Sequence, residues 1–135
     1  MPLSFDQTRM VLESAHRRAA EIGVAVTVAI VDEGGFLQAL GRMDGAPPLS
    51  AQIAESKAVG AAVWHRSGDQ LASIQRERPA FFEAVDRLVR LPVIPGLGSV
   101  LIRRGGAVLG AIGVSGAAPE QDADCAQAGL ATLGG

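Results

Sequence analysis

Residues 24–40 read VAVTVAIVDEGGFLQAL, and this stretch determines the architecture that the rest of the chain must fit. Residues 24–31 are almost continuously apolar and β-branched, which predicts a strand buried on both of its faces. The following Asp32-Glu33-Gly34-Gly35 is a turn signal, and residues 36–40 read as a second short strand. The stretch therefore predicts a β-hairpin.

A second hairpin is predicted nearer the carboxyl end. Residues 99–103 and 107–115 have the composition of strands, and the Gly105-Gly106 pair between them is a hairpin turn. Because both strand pairs are hairpins, we expect a mainly antiparallel sheet of about five strands.

Helices are predicted on either side of the hairpins. Ser4 and Gln7 form a capping-box pattern, and Ser50 is placed to cap a later helix. The predicted helices cover residues 5–22, 51–66, 69–76 and 119–132, with a further candidate over 80–88 after Pro79. The order of the main elements is α-β-β-α-α-β-β-α. The predicted fold class is α/β, of the α+β type, in a single domain over residues 1–135 with helices flanking the sheet.

The composition excludes several classes of function. Twelve basic and 14 acidic residues give a formal charge of −2, and aromatic residues make up only 4%. With neither a basic stripe nor a base-stacking surface, no nucleic-acid partner is expected. The longest apolar stretch, residues 107–114, is far below the ~20 residues of a membrane span. No leader pattern is visible at the start and Cys125 is the only cysteine, so we expect a cytoplasmic protein with no membrane partner.

The first candidate ligand contacts lie in the loop around Arg42 and in the helix that follows it. Arg42 offers a planar fork for a carboxylate, while Asp44 can accept from nearby amides or simply pair with Arg42 to brace a turn. Lys57 is the only lysine. One interpretation is a functional ammonium, either a cationic contact for an anionic ligand or an activated amine, with Asp44 as its partner. The other is a surface side chain that extends to the helix edge.

Further candidates lie in the last predicted strand. Gly113 inside a strand indicates close approach by a helix backbone or by a ligand, and Ser115 is a candidate polar contact at the strand end.

The two histidines are the candidate ligands for an iron or another metal. Periodicity places His16 off the apolar face of the first helix, which favours an ordinary surface histidine, and His65 follows Trp64 near a helix end. Cys125 is interpreted as a small buried apolar residue. The sequence contains no standard catalytic motif and no metal-binding cluster, so neither a catalytic residue nor a metal site is assigned.

Several of these segments together resemble the GlcG/HbpS-like family, which includes the C-terminal domain of PduO-type proteins. The resemblance extends over nearly the whole chain. The matching stretches are residues 28–35 (VAIVDEGG), 42–46 (RMDGA), Ser50, Lys57-Ala58, 110–116 (GAIGVSG), Gln121-Asp122, Cys125-Ala126 and Gly129. The chain departs from the family at residues 95–100 (PGLGSV), where relatives usually carry Gly-Gly-x-Pro.

The resemblance implies a profilin-like or PAS-like antiparallel sheet and homo-oligomers ranging from dimers to octamers. It also implies haem or another tetrapyrrole as a candidate ligand, with His65 and His16 as the candidate axial residues. The candidate walls of one ligand pocket are then Arg42, Asp44, Ser50, Lys57, Gly113 and Ser115.

The residues and the resemblance together leave three functions open. The first is an oligomeric protein that binds a small ligand such as haem. The second is an accessory or catalytic protein acting on a small carboxylate metabolite in a catabolic pathway, with Arg42 binding the carboxylate and Lys57 or Asp44 as acid or base. The third is an assembly subunit without a ligand. Whether the chain is an enzyme stays open.

Overall fold

In the computed structural model, which describes residues 2–134, both predicted hairpins are present. The strands are β1 (Thr27–Asp32), β2 (Leu37–Arg42), β3 (Ser99–Arg104) and β4 (Ala107–Ser115). The helices are α1 (Phe5–Glu21), α2 (Ser50–Trp64), α3 (Gly68–Glu77), α4 (Pro79–Asp86) and α5 (Pro119–Ala131). The predicted α/β class is confirmed.

The four strands form one antiparallel sheet in the order β2-β1-β4-β3. The described chain thus has four strands where about five were expected, and three helices separate the two hairpins. The central contact joins one strand of each hairpin, with Val28 opposite Val114 and Ile30 opposite Ile112. Because β1 and β4 lie inside the sheet, both are buried, as their apolar composition predicts.

Helices cover both faces of the sheet. Val28 and Ile30 pack with α1 and α5 on one face, while Ala29 and Val31 pack with α2 on the other. This alternation follows from the two-residue period of a strand.

Close packing of α2 on the sheet requires a glycine in β4. A Cβ atom at Gly113 would lie 2.2 Å from the carbonyl oxygen of Ala54 and 2.7 Å from the backbone nitrogen of Ala58. The α2 backbone therefore fills the space beside Gly113.

A smaller apolar cluster lies beyond the end of α2. Leu71 of α3, Phe82 of α4 and Val93 form its buried part, and Trp64 packs against it. The carboxyl end of α2 thus helps to hold α3 and α4 to the rest of the molecule.

None of the helices described between residues 2 and 134 is both long and apolar enough to cross a membrane. The cytoplasmic location stays a prediction.

The thiol of Cys125 is fully buried under α1. Burial, together with the charges of Asp124 and Asp122, raises the pKa of Cys125 to about 11. Because the thiolate is the reactive form, we expect native protein to resist iodoacetamide at pH 8 while unfolded protein is alkylated readily. Mass spectrometry of the two samples measures the difference, and rapid labelling of the native protein would contradict the buried position.

Candidate functional site

The side chain of Lys57 runs from α2 past the end of the sheet into a buried polar site. Its ammonium donates to the carbonyl oxygens of Val114 (2.9 Å) and Leu97 (3.2 Å) and to the Asp122 carboxylate (3.4 Å). These three acceptors account for all three N–H groups of a lysine. Lys57 therefore has no donor left for a ligand in this arrangement.

Asp122 completes this pair from the first turn of α5. Its Oδ2 faces Lys57, and its Oδ1 accepts from the backbone N–H of Ala117 at 3.1 Å. Burial raises the pKa of the Asp122 carboxyl, and the charge of Lys57 opposes that rise. Asp122, not Asp44, is thus the partner of Lys57.

The loop that departs from the family pattern packs directly on this pair. Gly98 has φ +117°, and a Cβ there would lie 2.6 Å from Lys57 Nζ and 2.8 Å from the carbonyl oxygen of Val114. Residues 95–98 therefore cover the buried ion pair, and position 98 requires glycine both for its backbone conformation and for space.

Ser50 and Ser115 lie next to the same strand end. The Ser50 hydroxyl is 2.7 Å from that of Thr27 and donates to the carbonyl oxygen of Pro47 at 2.5 Å. Thr27 is opposite Ser115 in the sheet. Ser50 was expected to cap α2 from outside, but it is the first helical residue, and its hydroxyl instead links the loop, α2 and β1.

Arg42 and Asp44 are both exposed. Arg42 ends β2 opposite Thr27 and so lies near the two serines, but among residues 2–134 it forms no ion pair with Asp44. The ion pair between Arg42 and Asp44, which the sequence left open as a way to stabilise the turn, is thus absent from the described structure. Four of the six predicted pocket residues are buried in internal contacts, and the two outer ones face solvent.

His16 is more constrained than a surface histidine. Its Nε2 is 2.9 Å from the carbonyl oxygen of Gly41 on β2, and its ring is so close to that glycine that a Cβ there would lie 2.7 Å from Cε1. A carbonyl oxygen only accepts, so Nε2 is the donor in this contact, and in the neutral imidazole the lone pair is then on Nδ1. The helical pattern correctly placed His16 off the apolar face, but it did not reveal the β2 edge beneath it.

His65 is exposed at the end of α2. Its backbone is left-handed, with φ 55°, and none of the described residues bonds to its ring. His65 is therefore not held in a fixed orientation.

Clefts lie elsewhere on the described part of the molecule. One, of about 460 Å³, lies between α2 and the loop at 91–94. A second, of about 440 Å³, lies between the end of α2, α3 and α4, and a third, of about 250 Å³, lies beside the β3–β4 hairpin. Residues 2–134 contain no cluster of three or more His, Cys, Asp or Glu side chains suited to a metal ion.

Comparison with known proteins gives a consistent family. Residues 3–131 match the family described as "Haem degrading protein HbpS-like". The chain is 32% identical to the corrinoid adenosyltransferase PduO of Citrobacter freundii over 98% of this chain and 39% of PduO. It is 33% identical to protein GlcG of Escherichia coli K12 over 84% of this chain and 81% of GlcG.

A solved structure agrees with these matches. A crystal structure of a PduOC–haem complex superposes with a TM-score of 0.89 at 28% identity, covering 99% of this chain and 96% of PduOC. The chain spans only 39% of the length of PduO, so the activity of that whole protein is not transferred to it.

Proposed function

Because this chain belongs to the HbpS-like family, we propose that it binds haem or a related tetrapyrrole, with His16 as the residue that would ligate its metal. The observation that carries the proposal is the hydrogen bond from His16 Nε2 to the carbonyl oxygen of Gly41. Histidines that ligate metals commonly donate their other ring N–H to such an oxygen, which fixes both tautomer and orientation. The ring of His16 has such a hydrogen bond, and the ring of His65 has none among the described residues.

The surroundings of His16 suit a planar ligand with carboxylate side chains. Leu12 lies on the same side of α1, within van der Waals reach of Gly41, and gives an apolar contact. Arg17 directly follows His16 in the sequence, and Arg42 directly follows Gly41. Both arginines are exposed, and neither forms an ion pair with any of the described residues. Their guanidinium groups would hold the two propionates of haem.

The alternative of a catalyst for a small carboxylate has less support. It assigns the role of acid or base to Lys57 or Asp44. The Lys57 ammonium is buried and bound by three oxygen acceptors, which leaves only the exposed Asp44 for that role. Arg42 remains available to a carboxylate, and the haem proposal uses it in that role.

We also propose that the protein assembles as a homo-oligomer through the outer surface of α2. This helix is apolar on nearly all sides, which is typical of a fully covered helix. Val63 on the helix and the N-cap residue Leu49 are nevertheless 40% and 60% exposed. We expect Leu49→Asp to lower the mass of the assembly in light scattering, while Leu88→Asp, at an 83% exposed site, leaves it unchanged. Identical masses for the wild type and Leu49→Asp would argue against this interface.

The haem proposal is tested by titrating the protein with haem and following the Soret band. We expect a saturable shift at a fixed stoichiometry and micromolar haem. Haem at 100 times its Kd should also stabilise the fold by about 2.7 kcal/mol, which a thermal melt detects. A linear, unsaturable absorbance with no change in the melt would refute the proposal.

A further inference from the structure

We infer that the cleft between the end of α2, α3 and α4 is a second ligand site, one that binds a small aromatic monocarboxylate. We call it the aromatic cleft, and its volume is about 440 Å³. It is lined by Trp64, Arg66, Ile74, Glu77, Arg78 and Phe81. It lies on the α2 side of the sheet, whereas His16 lies on α1 against the other face, so this inference does not depend on haem binding.

The first observation is the aromatic wall. Trp64 stacks on Phe82 with ring centroids 5.2 Å apart, and Phe81 meets Trp64 edge-on at 6.1 Å. Phe82 is buried and forms the inner part of this wall, while Phe81 is 44% exposed at the cleft. A flat apolar ring would find both a face and an edge to pack against.

The second observation is the charge at the rim. Arg66 donates only to the carbonyl oxygen of its neighbour His65, and Arg78 lies over the Phe81 ring at 4.1 Å. Neither forms an ion pair with a carboxylate of the described chain. With Glu77 also at the cleft, the three charged groups sum to +1, which favours a monoanion over a dianion or a cation.

The third observation is an unmet hydrogen bond. Trp64 Nε1 is buried and has no acceptor among the described residues. Buried polar groups in native proteins are nearly always paired, so an orphaned donor beside a cleft indicates a missing acceptor. A carboxylate oxygen, seated between the two arginines after a small shift of the ring, would supply one.

Trp64 also reports on its own site, since it is the only tryptophan and the chain has no tyrosine. We would titrate haem-free protein with phenylacetate and follow Trp64 fluorescence, using neutral phenylacetamide as the matched ligand. We expect a saturable change with phenylacetate and at least tenfold weaker binding of phenylacetamide. Arg66→Gln and Arg78→Gln should each weaken phenylacetate binding at least tenfold, while Arg76→Gln, on α3 but outside the cleft, should not.

Three results would overturn the inference: no saturable change with phenylacetate, equal affinity for phenylacetamide, or wild-type affinity in both cleft variants. Each variant must first reproduce the wild-type melt and emission maximum, so that a folding defect is not taken for lost binding. A positive result here with no Soret shift would refute haem binding and leave the aromatic cleft standing.

Discussion

Replacing Lys57 by methionine should destabilise the protein by about 3–5 kcal/mol, because it leaves the buried Asp122 carboxylate without its cation. Methionine preserves most of the side-chain length, so the loss reports on charge and hydrogen bonding more than on a cavity. Since small domains are stable by only about 5–15 kcal/mol, such a loss is large. Urea unfolding followed by circular dichroism measures it.

The matched rescue is the double variant Lys57→Met/Asp122→Asn. Asparagine removes the unpaired charge and keeps an oxygen that accepts from the Ala117 N–H. We expect the double variant to recover at least half of the lost stability. A single variant as stable as the wild type, or a double variant no better than the single one, would contradict the structural role of this pair.

The same variant should show a characteristic pH dependence. Burial already raises the pKa of Asp122, and Lys57→Met removes the charge that opposes the rise. A carboxyl whose pKa is higher in the folded than in the unfolded state favours folding when protonated, so stability falls as pH rises through the folded pKa. The deficit of Lys57→Met relative to the wild type should therefore shrink as the pH is lowered from 7 toward 4.

Replacing Gly113 by alanine should cost about 3 kcal/mol, the upper end of the usual range for an overpacked core. The added Cβ would lie 2.2 Å from the Ala54 carbonyl oxygen, and that neighbour is helix backbone, which cannot turn aside as a flexible side chain would. Accommodating it requires α2 to move off the sheet. The free energy of unfolding from denaturant titration measures the effect.

Gly106→Ala is the matched control for this substitution. Gly106 lies in the β3–β4 turn, where a Cβ would meet no atom within 4 Å. We expect its free energy of unfolding to stay within about 0.5 kcal/mol of the wild-type value. If Gly113→Ala also left the free energy of unfolding unchanged, α2 could not pack this closely on β4.

The local architecture could be predicted from the sequence because its signals are local. The run at 24–31 and the turn at 32–35 predict a hairpin without reference to any other part of the chain, and the capping box of Ser4 and Gln7 is formed as expected. The pairing of β1 with β4 is not local. Sequence alone does not say which strands of the two hairpins become neighbours.

This limit explains the errors at the candidate site. Lys57 reaches Asp122 because α2 and α5 cover opposite faces of the sheet and the end of the sheet lies between them. The sequence does not show this arrangement, and Asp44, which is closer in sequence, is therefore the partner that it predicts. The only lysine of the chain lies on an alanine-rich helix, and a buried ammonium needs an acceptor. This pattern indicates that a carboxylate lies nearby. For His16, helical periodicity indicates on which side of α1 the side chain lies. The hydrogen bond between its ring and Gly41 depends on the position of the edge strand β2, which the local sequence does not show.

The proposed function depends on a bond between His16 and the haem iron. The most direct measurement is the Soret spectrum and haem affinity of His16→Ala beside His65→Ala, with the thermal melt confirming that both variants fold. We predict that His16→Ala loses the Soret shift or binds haem at least tenfold more weakly, while His65→Ala behaves as the wild type. A wild-type spectrum and affinity in His16→Ala, or loss of both in His65→Ala, would contradict the claim.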